Sequence, residues 1–460
     1  MAGTGDGEFA PSTCEVLNAV VTSHSGKKVD IAQMVTKFEI VQSMNTNSYS
    51  GNITVQDTIG ILEDFPLRSE EKLDLKLKGY DLNTEVNLKT HVYKIDNIQA
   101  SESSSTVIYN MNFVSNITYN ASKRKIIKAY SSSVSGIAKM IFDSYFAKLG
   151  ETDYLDANDR SRTLEYATAR HIITEEQDRS FFVQPTENMT RCVIPNMIPT
   201  EAMHFLYTQA YNSQTPSNSH KFFETLKDFY FATDEYFIQT ARRSDLIHLF
   251  YSPAASVDGT RPSDQVNRVE ELQILNKGLD TASDIFSGAY RNRVTQINLV
   301  RRELTVHDWD YSVNANYIDM SGNLRNLEDN PHTAQFREDT FTDENARDFL
   351  VFQDYQQPGD IPSSLHTNRF MPQIISNRVS YEAHLNATKI NCIMKGRIDI
   401  MPGMIVNLDV QTLNGISNIA RNATLSGRYL VQGTRHVRDD EGVLNAALTL
   451  VKFDWSKGEV

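Results

Sequence analysis

The sequence predicts a β-rich α+β protein, with a small β domain at each end and a mixed α/β region between them. Three observations predict this. Segments of strict period two, each with one apolar face, follow one another near the start of the chain. The same pattern returns over residues 386–453. Between them, apolar residues recur at helical spacing.

Residues 14–118 read as one small barrel. Phe38 and Ile40 alternate with Lys37 and Glu39, and a polar stretch containing Gly51 precedes Ile53 and Val55. An apolar segment, 59–67, is punctuated by Pro66. Leu73, Leu75 and Leu77 then alternate with Asp74, Lys76 and Lys78, followed by Tyr93, Ile95, Val107, Tyr109, Met111 and Phe113. Strand after strand with turn residues between is the signature of a closed or nearly closed sheet. Residues 1–13 are expected to be a flexible tail, because they have no basic n-region and no apolar core.

Residues 119–265 form the central mixed α/β region. Val134, Ile137, Ala138, Ile141, Phe142 and Tyr145 fall on one helical face, with Ser133 as N-cap. Pro199 suits the first turn of a helix carrying Ala202, Phe205, Leu206 and Ala210. A polar loop over 212–220 leads into a short sheet over 222–233. Residues 151–190 are polar and weakly patterned.

Residues 272–285 read as partly helical. Two strands follow within 286–311, with Val294, Ile297, Leu299, Leu304 and Val306 as core candidates. Residues 326–368 are rich in Asp and Glu and hold Pro331, Pro358 and Pro362, the mark of an extended, solvated insertion. Inside it, Phe349-Leu350-Val351-Phe352 reads as an anchor for a neighbour, or as a cluster folding back on its own domain. A helix near 376–385 returns the chain to its last β domain.

That domain is the most informative part. Ile390, Cys392 and Met394 alternate with polar residues up to the turn Met401-Pro402-Gly403. Met404, Val406, Leu408 and Val410 form the next strand. Leu425-Ser426-Gly427-Arg428-Tyr429-Leu430-Val431 opens a third, and an acidic turn over 438–442 leads to Leu444, Ala446, Leu448 and Leu450. Gly403 and Gly427 are expected where strands bend or backbones approach closely, with Tyr429 beside them as a structural or interface residue.

Composition excludes several functions. The 460 residues are 40% hydrophobic and 22% charged, with a net charge of −13. That balance opposes general nucleic-acid binding, which needs basic surface to release counterions. The basic cluster Lys123-Arg124-Lys125 with Lys128 reads as a solvated helix entry. No apolar run is long enough for a membrane span, so no membrane insertion is expected. Three scattered cysteines, Cys14, Cys192 and Cys392, read as buried thiols in a reducing compartment. Neither HExxH, GxSxG, GxxxxGKS nor GxGxxG occurs, and no carboxylate pair stands out. No catalytic residue, metal ligand or cofactor is therefore assigned. His91 and His436 read as interface or core-edge histidines.

Met401-Pro402-Gly403-Met404-Ile405-Val406, the strand Leu425 to Val431, the Pro199 helix and Phe222-Phe223-Glu224 together resemble the central baseplate hub proteins of contractile-tailed bacteriophages. Relatives of that family include the hub portion of type VI secretion spike proteins. The resemblance touches much of the chain as pattern. It implies two tube-like antiparallel barrels, the second split by insertions into 266–325 and 386–455, with 326–385 as insertion arm and return helix. It implies a non-enzymatic structural role, as a homotrimer whose six barrels adapt a sixfold tail tube to a threefold spike around a lumen for DNA. Its implied partners are a central spike protein, a tail tube or tube-initiator protein and baseplate wedge proteins. Its implied location is the virion tail, assembled in the bacterial cytoplasm. A tail-associated cell-wall enzyme and a β-rich receptor-binding protein are the alternatives.

Overall fold

A computed structural model describes residues 12–65, 67–79, 84–100, 106–147, 161–163, 180–241, 246–252, 266–277, 281–310, 347–353, 361–411, 421–422 and 424–453. The fold is β-rich α+β. The first sheet is built from β1 (Cys14–Thr22), β2 (Lys28–Asp30), β3 (Val35–Ser43), β4 (Ser50–Asp57), β5 (Lys72–Gly79), β6 (Thr84–Ala100) and β7 (Val107–Ser115). Alternation sends Leu73, Leu75 and Leu77 of β5, and Tyr109, Met111 and Phe113 of β7, into a common interior.

The central region holds β8 (Ile126–Ser133), β9 (Ser161–Thr163), β10 (Phe181–Val183), β11 (Met189–Met197), β12 (His220–Glu224) and β13 (Phe229–Thr233). The helix Val134–Ile141 starts where Ser133 accepts from the Gly136 N–H, as expected for its cap. Pro199 opens the helix Pro199–Tyr207. A separate apolar core forms here, in which Phe142, Phe146, Phe181, Phe222 and Phe229 pack ring on ring.

The second barrel comprises β14 (Ile247–Tyr251), β15 (Arg268–Lys277), β19 (Thr388–Lys395), β20 (Ile405–Val410), β21 (Gly427–Arg438) and β22 (Leu444–Lys452). Its ladder closes on itself in the order β21-β20-β14-β15-β19-β22-β21. Three sequence expectations need correction. β14 lies upstream of the expected boundary at 266 and runs parallel to both neighbours, so the barrel is not purely antiparallel. Leu272 lies in β15, not in a helix; the helical stretch is only Thr281–Ser287. β16 (Arg291–Asn298) and β17 (Glu303–Asp310), expected in this barrel, instead join β18 (Arg347–Phe352) in a sheet of their own. The reason is visible in their burial. Val294 is fully buried, but Leu299, Leu304 and Val306 are 70%, 64% and 47% exposed, which a barrel interior does not allow.

The two β domains repeat one circuit. The neighbour order β3-β4-β7-β6-β5-β1 recurs as β15-β19-β22-β21-β20-β14. Register repeats as well. Val92 of β6 and Val431 of β21 each precede a one-residue bulge against the following strand. Each donates its N–H to the residue just ahead of the adjacent strand, Glu71 O at 2.8 Å and Met404 O at 2.9 Å. Val35 of β3 and Val269 of β15 likewise precede matching bulges. The pattern breaks at the first strand, since β1 is antiparallel to β5 whereas β14 is parallel to β20, and at second bulges between Asp96 and Gln99 of β6 and between Ile274 and Asn276 of β15, which β21 and β3 lack.

One strand belongs to both domains. Gly427 to Leu430 of β21 pair with β20, while Gly433 to Arg438 leave that edge and pair with Ser43 to Phe38 of β3. At the far end Arg438 lies between β1 and β3. Its Nε donates to Cys14 O at 2.8 Å and its Nη1 to Thr36 O at 2.7 Å. Cys14 N also donates to Gly442 O, and Leu444 N to Ser12 O, both at 2.9 Å. The β21–β22 hairpin thereby spans the seam of the first domain. Arg438→Ala removes the charged donor that both carbonyls share. It is expected to cost about 2–3 kcal/mol, read as a lower urea midpoint with unchanged slope; an unchanged midpoint would show that the seam holds without it.

Candidate assembly site

Of the residues singled out in the last domain, Gly403 lies where the second barrel meets the central region, and Gly427 and Tyr429 lie within that barrel domain. Gly403 has φ +90°, and a Cβ there would lie 3.3 Å from the Phe237 ring and 3.5 Å from Phe223. Its N–H donates to Val431 O at 2.9 Å, so the Met-Pro-Gly turn is tied to β21 just before the bulge. Gly427 has φ +141°, with Lys452 against the position its Cβ would take. The buried Lys452 ammonium donates to Thr424 O at 2.6 Å and Ser426 O at 2.8 Å. Tyr429 is fully buried; its hydroxyl donates to Leu425 O at 2.5 Å, and burial raises its pKa. Gly403 and Tyr429 are therefore buried inside the protein, and Gly427 is half-buried beside Lys452.

Polar side chains fix how the central region docks. The fully buried Glu224 accepts from Ser48 at 2.8 Å, from Thr118 at 2.8 Å and from Ser115 at 2.5 Å. Gln42, also buried, accepts from Leu226 N at 2.9 Å and donates to Thr434 Oγ1 at 3.2 Å, joining all three regions through one amide. Around them lies an apolar seam of Met44, Phe223, Tyr230, Phe237, Leu430 and Phe453.

The polar loop over 212–220 is largely buried. Arg378 of the helix Thr367–Leu385 crosses it, donating to Asn218 O at 2.7 Å and Tyr207 O at 2.9 Å. Glu235 accepts from the Ser217 hydroxyl at 2.6 Å and its N–H at 3.0 Å, while burial still pushes its carboxyl up to about 7. Asp234 pairs with Lys221 at 2.8 Å. Sequence patterning missed this cluster, because a satisfied buried polar loop has the same composition as a solvated one.

Phe349 and Phe352 do not act together. β18 runs parallel to β16, and residues three apart in a strand lie on opposite faces. Phe349 sits beside the buried Val294, on the side where β16 meets the return helix: Ser376 Oγ donates to Asn292 Oδ1 at 2.6 Å and Gln296 Nε2 to Asn368 O at 2.7 Å. Phe352 is 60% exposed on the other side, near Leu350, Leu304 and Val306. The cluster thus folds back on its own sheet, and only one half of it faces outward. The acidic residues over 328–344 lie outside the described residues. Lys123, Arg124 and Lys125 are exposed at a helix exit, since the helix Asn116–Ser122 ends before them and β8 begins after.

All three cysteines are buried, and none is in a disulfide. Among the described residues, no three His, Cys, Asp or Glu side chains gather in a way that could hold a metal ion. In the same residues no helix is long and apolar enough to cross a membrane. His436, on the β21–β3 junction, is fully buried, and His91 and His220 are buried too. Burial lowers His436 to about 4 against the favourable field of Asp399. It lowers His91 to about 4, helped by Lys123 and Lys72, and His220 to about 3, helped by Arg378.

Two predictions follow from this geometry. Because each folded imidazole titrates below its unfolded value near 6.5, the unfolded chain binds more protons as pH falls from about 6.5 to 4, and stability drops. Glu235 and Glu382, both raised by burial, oppose this, but one carboxyl at about 7 and one smaller shift do not match three imidazoles. Urea midpoints are expected to decline steadily across that window, and a flat or rising series would contradict the assignment. Gly427→Val, forced into a left-handed backbone region and against Lys452, is expected to lose about 1–3 kcal/mol in the same measurement.

No family model and no curated protein matches the sequence. Among solved structures, the chain is similar to the tail protein from Neisseria meningitidis MC58, at 10% identity over 95% of this chain and 97% of that one, with a TM-score of 0.48. It is similar to the 43 kDa tail protein of prophage MuSo2 from Shewanella oneidensis, at 11% identity over 95% and 98%, TM-score 0.49. The E. coli c3393 protein, a component of the type VI secretion system, matches at 9% identity over 96% and 76%, TM-score 0.40.

Proposed function

We propose that this chain is the central hub of a contractile phage tail baseplate, a structural protein that works as a ring of three copies. The observation that carries the reading is the repeated circuit: one chain presents the same strand order twice, fused through β21. A trimer of such chains offers six similar units to a sixfold tube and three identical chains to a threefold spike. The Met-Pro-Gly turn and the β21 strand, which carry the sequence resemblance, lie at that fusion.

The remaining features fit the same role. The net charge of −13 per chain favours a lumen to which duplex DNA does not adhere during passage. The outward face of the β16–β18 sheet, with Leu304, Leu350 and Phe352 exposed, suits contact with a wedge protein at the baseplate periphery. The spike and the tube or its initiator would take the two ends of the ring. The site of action is the virion tail, with assembly in the host cytoplasm. Neither catalysis nor a cofactor enters this reading.

The test is mass measurement on the hub–spike complex together with duplex DNA binding at low salt. Three copies per complex and no salt-sensitive DNA affinity are expected. A stable count of one, two or six, or tight salt-sensitive binding, would sink the proposal.

A further inference from the structure

The repeated circuit leaves one junction made and its counterpart unmade. Beyond its bulge, β21 turns its free edge to β3. Beyond the equivalent bulge, β6 does the same and meets no strand there among the described residues: β5 ends against His91 and Thr90, and residues 94–100 pair with β7 on their other edge. The strand equivalent to β3 is β15. Its edge is taken by β14 at Arg268 and Val269 alone, and along 270–277 it faces no strand among the described residues.

Burial marks the same vacancy. On β3, Phe38 and Ile40 are 1% and 0% exposed. The matching positions counted from the bulge, Leu272 and Ile274, are only half-buried, and Leu275 is 42% exposed. On the β6 arm Tyr93 and Ile98 are 50% and 55% exposed. Long open edges with apolar side chains invite strand addition, and a protein that keeps two of them has a use for them or a means of covering them.

We propose that residues 94–100 of β6 in one copy pair antiparallel with residues 270–277 of β15 in the next, repeating between chains the junction that β21 and β3 make within one. The occupant of each edge is a second copy of this chain. The contact joins two different surfaces, so it propagates head to tail and closes into a ring instead of stopping at a dimer. The pairing rests on the hub reading for the number of copies in that ring.

Paired cysteines test it, since the three native thiols are buried. Ile98→Cys and Leu275→Cys are placed in separate full-length chains and in one chain together, and treated with a short bismaleimide in the presence of the spike. Mixing the two single variants is expected to give a cross-linked pair that neither gives alone. The double variant is expected to give a band at three times the chain mass. Cross-linking of the Ile98→Cys chain to itself would overturn the pairing in favour of an arm-to-arm contact. Three copies by mass without any cross-link would overturn the pairing and leave the hub reading standing. A single copy by mass would remove both.

Discussion

The structure depends on a change of partner halfway along β21. Up to Leu430 the strand belongs to its own barrel, and from Gly433 its edge belongs to β3. The extra residue between them, Gln432, lets this happen. A bulge adds local twist and bends the strand, so that one edge can leave one sheet and enter another without breaking its ladder to β22. Gln432 is not wasted in the bend, because its carbonyl accepts the Met44 N–H at 2.9 Å. With that strand in place the second barrel is closed, the first is joined to it, and the terminal hairpin is delivered to the seam between β1 and β3.

The central region adds orientation to this connection. Apolar contacts around Phe223 and Phe237 supply area but tolerate sliding, since they are non-directional. Glu224 and Gln42 do not tolerate it. A shift of one residue would leave a buried carboxylate facing Ser48, Ser115 and Thr118 at the wrong distance, and an unpaired buried charge costs far more than a paired one gains. The aromatic seam holds the parts together, and the polar contacts select one arrangement of them.

Strands with one buried face were legible in the sequence because period two reports burial directly. The segments around Leu73, Met111, Cys392 and Leu448 all fall where alternation puts them. What alternation does not report is the partner. Val294 and Leu304 are both aliphatic, yet one is buried on the side of the return helix and the other is exposed, because β16 and β17 pair with β18 and not with the barrel. Parallel pairing of β14 was hidden for the same reason. Gly403 and Gly427 were legible as bends, since glycine is the residue that such backbone angles favour. The buried loop around Asn218 and the roles of Arg378 and Gln42 depend on contacts between positions far apart in the chain, and no local pattern encodes those.

The repeat is imperfect in a way that bears on assembly. Between β3 and β4 the chain needs only a short turn, residues 44–49. At the equivalent place, between β15 and β19, it inserts the β16–β18 sheet and the helix Thr367–Leu385. Both circuits keep the same ladder because a loop between adjacent antiparallel strands can grow with little entropic cost. On the hub reading, a ring of three such chains is sixfold in its strands and threefold in its outgrowths. The tube would meet the part that repeats within the chain, and the periphery would meet the part that does not. On that reading, a repeated circuit with one elaborated copy would let a single sequence present two symmetries, without requiring any residue to serve both.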